Sequence, residues 1–270
     1  MVETRETIKW WELRDAVLRN DLQEVKDCIE KAKSQGVLSR VIDVKDGDLG
    51  SPLVYAVKGE NVEIARVLIE NGANINLQGY RYKPPIYYAI RDGSKEMVEL
   101  LASKGANISG TFGHDSYSLL GLAIYYDSTE KAEILLKHGI NPNAYIDGKR
   151  FNIKGYKPLH FAAVRDSVSM VDLLIKYGAE INGQDKEGNT PMHLAIASRC
   201  TDVIKLLYRN GADVDIKNKR NKTAEYLAYR YYDRTVSEID MGVEYVVASG
   251  ASRPSSSIFA ALEYPFRCMA

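Results

Sequence analysis

Residues 188–213 read GNTPMHLAIASRCTDVIKLLYRNGAD, and this stretch carries the plan of a helix pair. The Thr190 hydroxyl can accept a free amide hydrogen at a helix start. Pro191 suits the first helical position, where an amide hydrogen has no partner. Ala195 is small and lets a neighbouring helix approach. Leu206-Leu207 supply apolar surface to a second helix, and Gly211 stands where that helix should end.

The plan recurs along the chain. SPLVYA (51–56), PPIYYA (84–89), SLLGLA (118–123), KPLHFA (157–162), TPMHLA (190–195) and TAEYLA (223–228) end on alanines spaced 33, 34, 39, 33 and 33 residues apart. A second series, ENGANIN, SKGANIS, KHGINPN, KYGAEIN and RNGADVD, places Gly72, Gly105, Gly139, Gly178 and Gly211 at steps of 33, 34, 39 and 33. Two separate motifs keep one step, the signature of a repeat architecture. In NVEIARVLIENG (61–72), Ile64, Val67 and Leu68 share one helical face. A lone pair cannot bury such a face, so stacked neighbours must supply the core.

These motifs resemble the ankyrin repeat, whose pattern runs G-x-T-P-L-H-x-A-A and then L-L-x-x-G-A-x-x-N. Gly188 through Ala195 match it best, followed by Leu206-Leu207 and Gly211-Ala212-Asp213. The resemblance spans about residues 12–247. It implies an all-α repeat solenoid of about seven helix-turn-helix units linked by extended crossing turns. The expected domain is 1–247, with an N-terminal cap near 11–49, full repeats near 50–221 and a capping repeat near 222–247. The cap follows from Leu13 and Ala16, which match Leu53 and Ala56 at a step of 40. Residues 248–270 are rich in serine and alanine and read as a flexible tail, with Ile258–Tyr264 able to form a short amphipathic helix.

Two departures stand out. The step of 39 leaves six extra residues between Gly139 and Ala162, which should project as a finger turning at Asp147-Gly148. The third full unit reads Ser118-Leu119 in place of Thr-Pro, so its first helix should start less sharply.

Composition narrows the function classes. Lys+Arg and Asp+Glu each number 36, a net charge of zero, which argues against a dedicated nucleic-acid binder. Arg81, Lys83, Lys154, Lys219 and Arg220 nevertheless keep nucleic-acid association as an alternative. Cys28, Cys200 and Cys268 are distant and odd in number, which fits a reducing, cytoplasmic setting better than a disulfide framework. No apolar run approaches the ~20 residues that span a bilayer.

Candidate chemistry is sparse. No phosphate-binding loop or nucleophile elbow appears. The four histidines fall in four different units, so no metal site is expected, and no cofactor is implied. The resemblance implies that His160 and His193 bond between turns and repeats. His138 stands before a helix-ending glycine, where it can meet free carbonyls. Asp185-Lys186-Glu187-Gly188 reads as a crossing-turn tip, and Glu238 and Asp240 as surface carboxylates. The chain is not expected to be an enzyme.

The resemblance implies a partner protein or peptide on a concave face, built from crossing-turn tips and exposed first-helix positions. Within GYRYKPPIYY (79–88), Pro84-Pro85 take the Thr-Pro place and Tyr80, Arg81 and Lys83 the tip. Tyr87 and Tyr88 fall where the family has its histidine and a half-buried residue. The expected partner-binding row is Tyr80, Arg81, Lys83, Arg91, Tyr117, Tyr125, Tyr126, Tyr156 and Arg165. Tyrosine and arginine are the types that carry interface energy, and the surplus of positive charge implies an acidic partner segment. A monomeric scaffold is the leading expectation. The family also supplies host-directed effectors of intracellular bacteria and large viruses, the remaining alternative.

Overall fold

The computed structural model describes residues 7–46, 50–79, 83–112, 117–148 and 153–240. Among them are fourteen α-helices in sequential pairs, with only four short strands. The chain divides into two compact units, Met1–Ile140 and Asn141–Ala270.

The first unit pairs α1 (Trp10–Leu18) with α2 (Leu22–Ser34), α3 (Pro52–Lys58) with α4 (Val62–Glu70), α5 (Pro85–Asp92) with α6 (Lys95–Ser103), and α7 (Leu119–Tyr125) with α8 (Thr129–Lys137). The second pairs α9 (Pro158–Val164) with α10 (Val168–Lys176), α11 (Pro191–Ser198) with α12 (Thr201–Arg209), and α13 (Ala224–Tyr232) with α14 (Val236–Asp240). Within each unit first helices pack on first helices and second helices on second helices. The core lies between these layers. Ala56, Ala89 and Ala123 are fully buried in one unit and Ala162, Ala195 and Ala228 in the other, where any larger side chain would push the helices apart. Ile64 and Leu68 are buried in α4, while Val67 on the same face is only partly covered.

The turn inside six of the seven pairs forces one residue into the left-handed region, the exception being the α5–α6 turn, where Gly93 stays at φ −85°. Asn20, Glu60, Asp127, Asp166, Arg199 and Asp233 occupy it at φ between 50° and 62°, although that region penalises any side chain with a Cβ. At the far end of the second helices, Gly72, Gly105, Gly139, Gly178 and Gly211 take φ between 83° and 91°, as helix-ending glycines should.

Crossing turns are tied together by one repeated bond. Asn74 N–H donates to Asp43 Oδ1 at 2.9 Å and Asn107 N–H to Asn76 Oδ1 at 2.7 Å. In the second unit Glu180 N–H donates to Asn143 Oδ1 and Asp213 N–H to Asn182 Oδ1, both at 2.8 Å. In three of these bonds the acceptor is the asparagine four residues after the helix-ending glycine, which fastens its repeat to the next, and Asp43 takes that role in the first.

Three expectations are corrected. Ser118 gives α7 a defined start, because its Oγ accepts from Gly121 N–H at 3.0 Å. Asp147-Gly148 is not the turn of the finger. It lies in β3 (Ile146–Gly148), which pairs antiparallel with β4 (Ile153–Tyr156) in the register Ile146 to Tyr156 and Gly148 to Ile153. Glu238 is no idle carboxylate: it accepts from Thr235 N–H at 2.7 Å while Thr235 Oγ1 accepts from Glu238 N–H at 3.2 Å, which caps α14. Hydrogen bonding to the carboxylate from the Thr235 backbone N–H, and then from the Thr235 side chain, lowers the Glu238 pKa. The tail 248–270 and its helix at Ile258–Tyr264 lie outside the described residues.

Candidate functional site

The first unit gathers aromatic and basic side chains at the ends of its first helices. Tyr87 and Tyr88 follow Pro85 in the first turn of α5 and are both buried. Their rings meet edge to face at 5.5 Å, a favoured aromatic geometry. Three cations lie over them. Lys58 Nζ stands 5.6 Å from the Tyr88 ring centre and Lys83 Nζ 4.3 Å from that of Tyr87. Arg91 Cζ lies 6.0 Å from Tyr87 and 5.6 Å from Tyr88. Contacts of this kind gain more when shielded from water.

Two of the three cations have a second tie. Lys83 Nζ donates to the Tyr87 hydroxyl at 3.0 Å. Arg91 Nε donates to both carboxylate oxygens of Asp92 at 2.7 Å, and its Nη2 also reaches Asp92. This pairing with Asp92 is the largest cause of the raised Arg91 pKa, which burial opposes. At the end of α7, Tyr125 and Tyr126 meet edge to face at 5.0 Å, and Tyr126 remains 45% exposed. Burial, then the neighbouring Tyr87, raises the Tyr126 pKa, while the Arg91 charge lowers it.

The structure thus brings together Lys83, Arg91, Tyr125 and Tyr126 of the expected row. Tyr80 and Arg81 lie outside the described residues. Tyr117 falls in β2 (Tyr117–Ser118), which pairs antiparallel with β1 (Thr111–Phe112), and its side chain is outside the description. Tyr156 and Arg165 belong to the second unit. Tyr156 stacks on His160 at 6.1 Å and 25°, and Arg165 is exposed at the C-terminal end of α9. Sequence reasoning missed that Tyr87 and Tyr88 form the floor beneath the cations. Adjacent aromatics in the first turn of a helix, next to Lys83, were the available signal.

His160 and His193 are structural. His160 Nε2 donates to the Asn189 carbonyl at 2.9 Å and His193 Nε2 to that of Lys222 at 3.0 Å. A carbonyl only accepts, so Nε2 carries the proton in both. Burial drives the His160 pKa down to about 4 and lowers that of His193. His138 does not meet helix-end carbonyls through its ring but pairs with Glu99 Oε1 at 3.0 Å. His114 lies outside the described residues. Among the described residues, no three His, Cys, Asp or Glu side chains are placed to hold a metal ion, and no helix is long and apolar enough to cross a membrane.

The profile of the family described as ankyrin repeats (3 copies) matches residues 13–112, 79–146 and 120–218. The chain belongs to the ankyrin-repeat family. This ankyrin chain is similar to the fowlpox virus (strain NVSL) ankyrin repeat protein FPV034, at 27% identity over 170 residues. The match takes in 63% of the chain and 29% of that relative, so the chain corresponds to less than a third of its length. Among solved structures it resembles the ankyrin repeat domain of Bcl-3, described as a unique member of the IkappaB protein family. The identity there is 25% and the TM-score 0.71, covering 84% of this chain and 96% of the other. The human ASB11 ankyrin repeat domain gives 26% identity and a TM-score of 0.62, covering 86% and 97%. Ankyrin-repeat domains are in general protein–protein interaction modules, typically without enzymatic activity.

Proposed function

We propose that this chain is a non-enzymatic scaffold that grips a partner protein on the surface formed by Lys83, Arg91, Tyr125 and Tyr126. The observation that carries this reading is the half-exposed Tyr125–Tyr126 pair next to Arg91, which is itself held over a buried Tyr87–Tyr88 floor. Rigid aromatics and an oriented guanidinium lose little freedom on binding, and such residues dominate interface energetics. The cationic rim favours an acidic partner segment.

The test is affinity capture from lysate with the full chain, beside an Arg91→Ala/Tyr126→Ala variant and a Glu96→Ala control on α6. A protein retained by the native chain and the control, but weakened at least about tenfold by the double variant, supports the surface. Equal retention by all three refutes it. Tyr156→Ala and Arg165→Ala are assayed separately, since they belong to the second unit.

The fowlpox virus relative supports a second reading, a host-directed effector acting by protein binding. Expression in avian cells should then yield a host protein bound through the same side chains. Capture of none speaks against this reading.

A further inference from the structure

The second unit holds a cavity of about 220 Å³ between α11, α13 and two crossing turns. Ligand pockets for drug-sized molecules usually exceed ~300 Å³, so this one suits one or two side chains. Its lining is chemically biased. Arg220, Lys222 and Arg230 line it against a single lining carboxylate, Glu187, while Tyr226 and Tyr231 contribute ring surface.

The two cation sets differ in how they are engaged. In the first unit Lys83 is bonded to Tyr87 and Arg91 to Asp92. In the second, Lys222 Nζ lies 3.9 Å over the Tyr226 ring. Arg220 and Arg230 make no ion pair and no side-chain hydrogen bond among the described residues, and both are exposed. Their charge is felt in the cavity: burial raises the Tyr231 pKa, and Arg230, Arg199 and Arg220 each pull it back.

The platform is rigid where it needs to be. Asp185 Oδ1 accepts from Glu187 N–H and Asn189 N–H, both at 2.8 Å. Thirty-three residues later, Asn218 Oδ1 accepts from Arg220 N–H and Lys222 N–H, both at 3.0 Å. The two turns are joined by Lys219 N–H to the Glu187 carbonyl at 3.0 Å and Asn218 Nδ2 to Asn189 Oδ1 at 2.9 Å. A Cβ at Gly188 would stand 2.9 Å from Lys219 N, so glycine is what lets these turns approach. A preorganised backbone reduces the ordering cost of binding.

We propose that this cavity docks an acidic peptide segment of a partner protein, with its carboxylates paired to Arg220 and Arg230 and an adjoining apolar side chain against Tyr226 and Tyr231. The guanidinium fork matches a carboxylate in two parallel hydrogen bonds. Nucleic acid would call for a longer basic stripe, and Glu187 interrupts this one. The inference deepens the interaction reading by adding a site and a ligand chemistry on the second unit.

The experiment selects bead-displayed random dodecapeptides on the full chain. Winners are then measured by fluorescence anisotropy against the native chain, Arg220→Ala/Arg230→Ala and Arg220→Lys/Arg230→Lys. Unchanged circular dichroism of the variants confirms folding. The expected winners are rich in Asp and Glu with an aromatic or aliphatic neighbour. Binding should weaken at least about tenfold in the alanine variant and less in the lysine variant. Neutral or basic winners, no enrichment, or acidic winners indifferent to both variants overturn the proposal. So does a single-stranded oligonucleotide that binds through the same arginines more tightly than any peptide. If the proposal fails while a captured protein still depends on Arg91 and Tyr126, only this site is lost. If that dependence is absent too, the interaction reading falls with it.

Discussion

His193 donates from Nε2 to the Lys222 carbonyl at 3.0 Å, a bond that joins positions 29 residues apart. The same ring accepts at Nδ1 from Thr190 N–H at 3.2 Å, and Thr190 Oγ1 lies 2.8 Å away. One imidazole therefore sets the start of α11 and anchors the crossing turn that carries Arg220 and Lys222. Replacing His193 with Ala should cost about 1–3 kcal/mol, since a part-buried carbonyl loses its donor and the buried ring is removed. Thermal unfolding of the variant checks this.

Acid should destabilise the second unit through its histidines. His160 titrates near 4 when folded, against ~6.5 when unfolded, so the unfolded chain binds the extra proton first. The stability contributed by neutral His160 is fully present above about pH 6.5 and is lost as pH falls toward 4. The loss is on the order of 3 kcal/mol, with His193 adding in the same direction. Urea unfolding followed across this window should show the slope, and His160→Gln should flatten it.

Two serines at equivalent places should behave oppositely. Ser118 caps α7 through Gly121 N–H, so Ser118→Ala should cost about 1 kcal/mol. Ser51 makes no cap bond to α3, and its Oγ is buried with no hydrogen-bond partner. Ser51→Ala should therefore be neutral or slightly stabilising. Paired melting temperatures decide it.

Glu60 sits at φ 58° between α3 and α4, in a region where a Cβ is costly. Glu60→Gly should raise stability by up to about 1 kcal/mol, the relief outweighing the extra freedom of the unfolded chain. A lower unfolding midpoint than the parent would show that the Glu60 side chain contributes more than its backbone strain costs.

Phe161 is fully buried in α9. Phe161→Ala should cost about 3–5 kcal/mol, which a repeat array expresses as early unfolding of its own neighbourhood. Hydrogen exchange should localise the loss to helices that pack against α9.

Most of the fold was legible because it is local. The step of 33, the proline at a helix start, the small alanine and the closing glycine each act within one repeat, so their spacing is enough to identify them. Asp147-Gly148 shows the limit. It reads as a turn from its letters, but its backbone was decided by pairing Gly148 with Ile153. His138 shows it again, since its partner Glu99 is 39 residues away and in another repeat.

The candidate site was legible only as a list of residue types. Lys83, Arg91, Arg220 and Arg230 look alike in sequence, and each contributes one positive charge. Lys83 and Arg91 find their partners locally, Tyr87 four residues on and Asp92 next in the chain, whereas only the tertiary structure left Arg220 and Arg230 without an acidic partner among the described residues. Charge pairing falls off with distance through space, and separation along the chain does not determine that distance. The sequence by itself therefore determined the repeat, its helix boundaries and its buried face. Which cations stay available to a partner was decided by the packing that chose their neighbours.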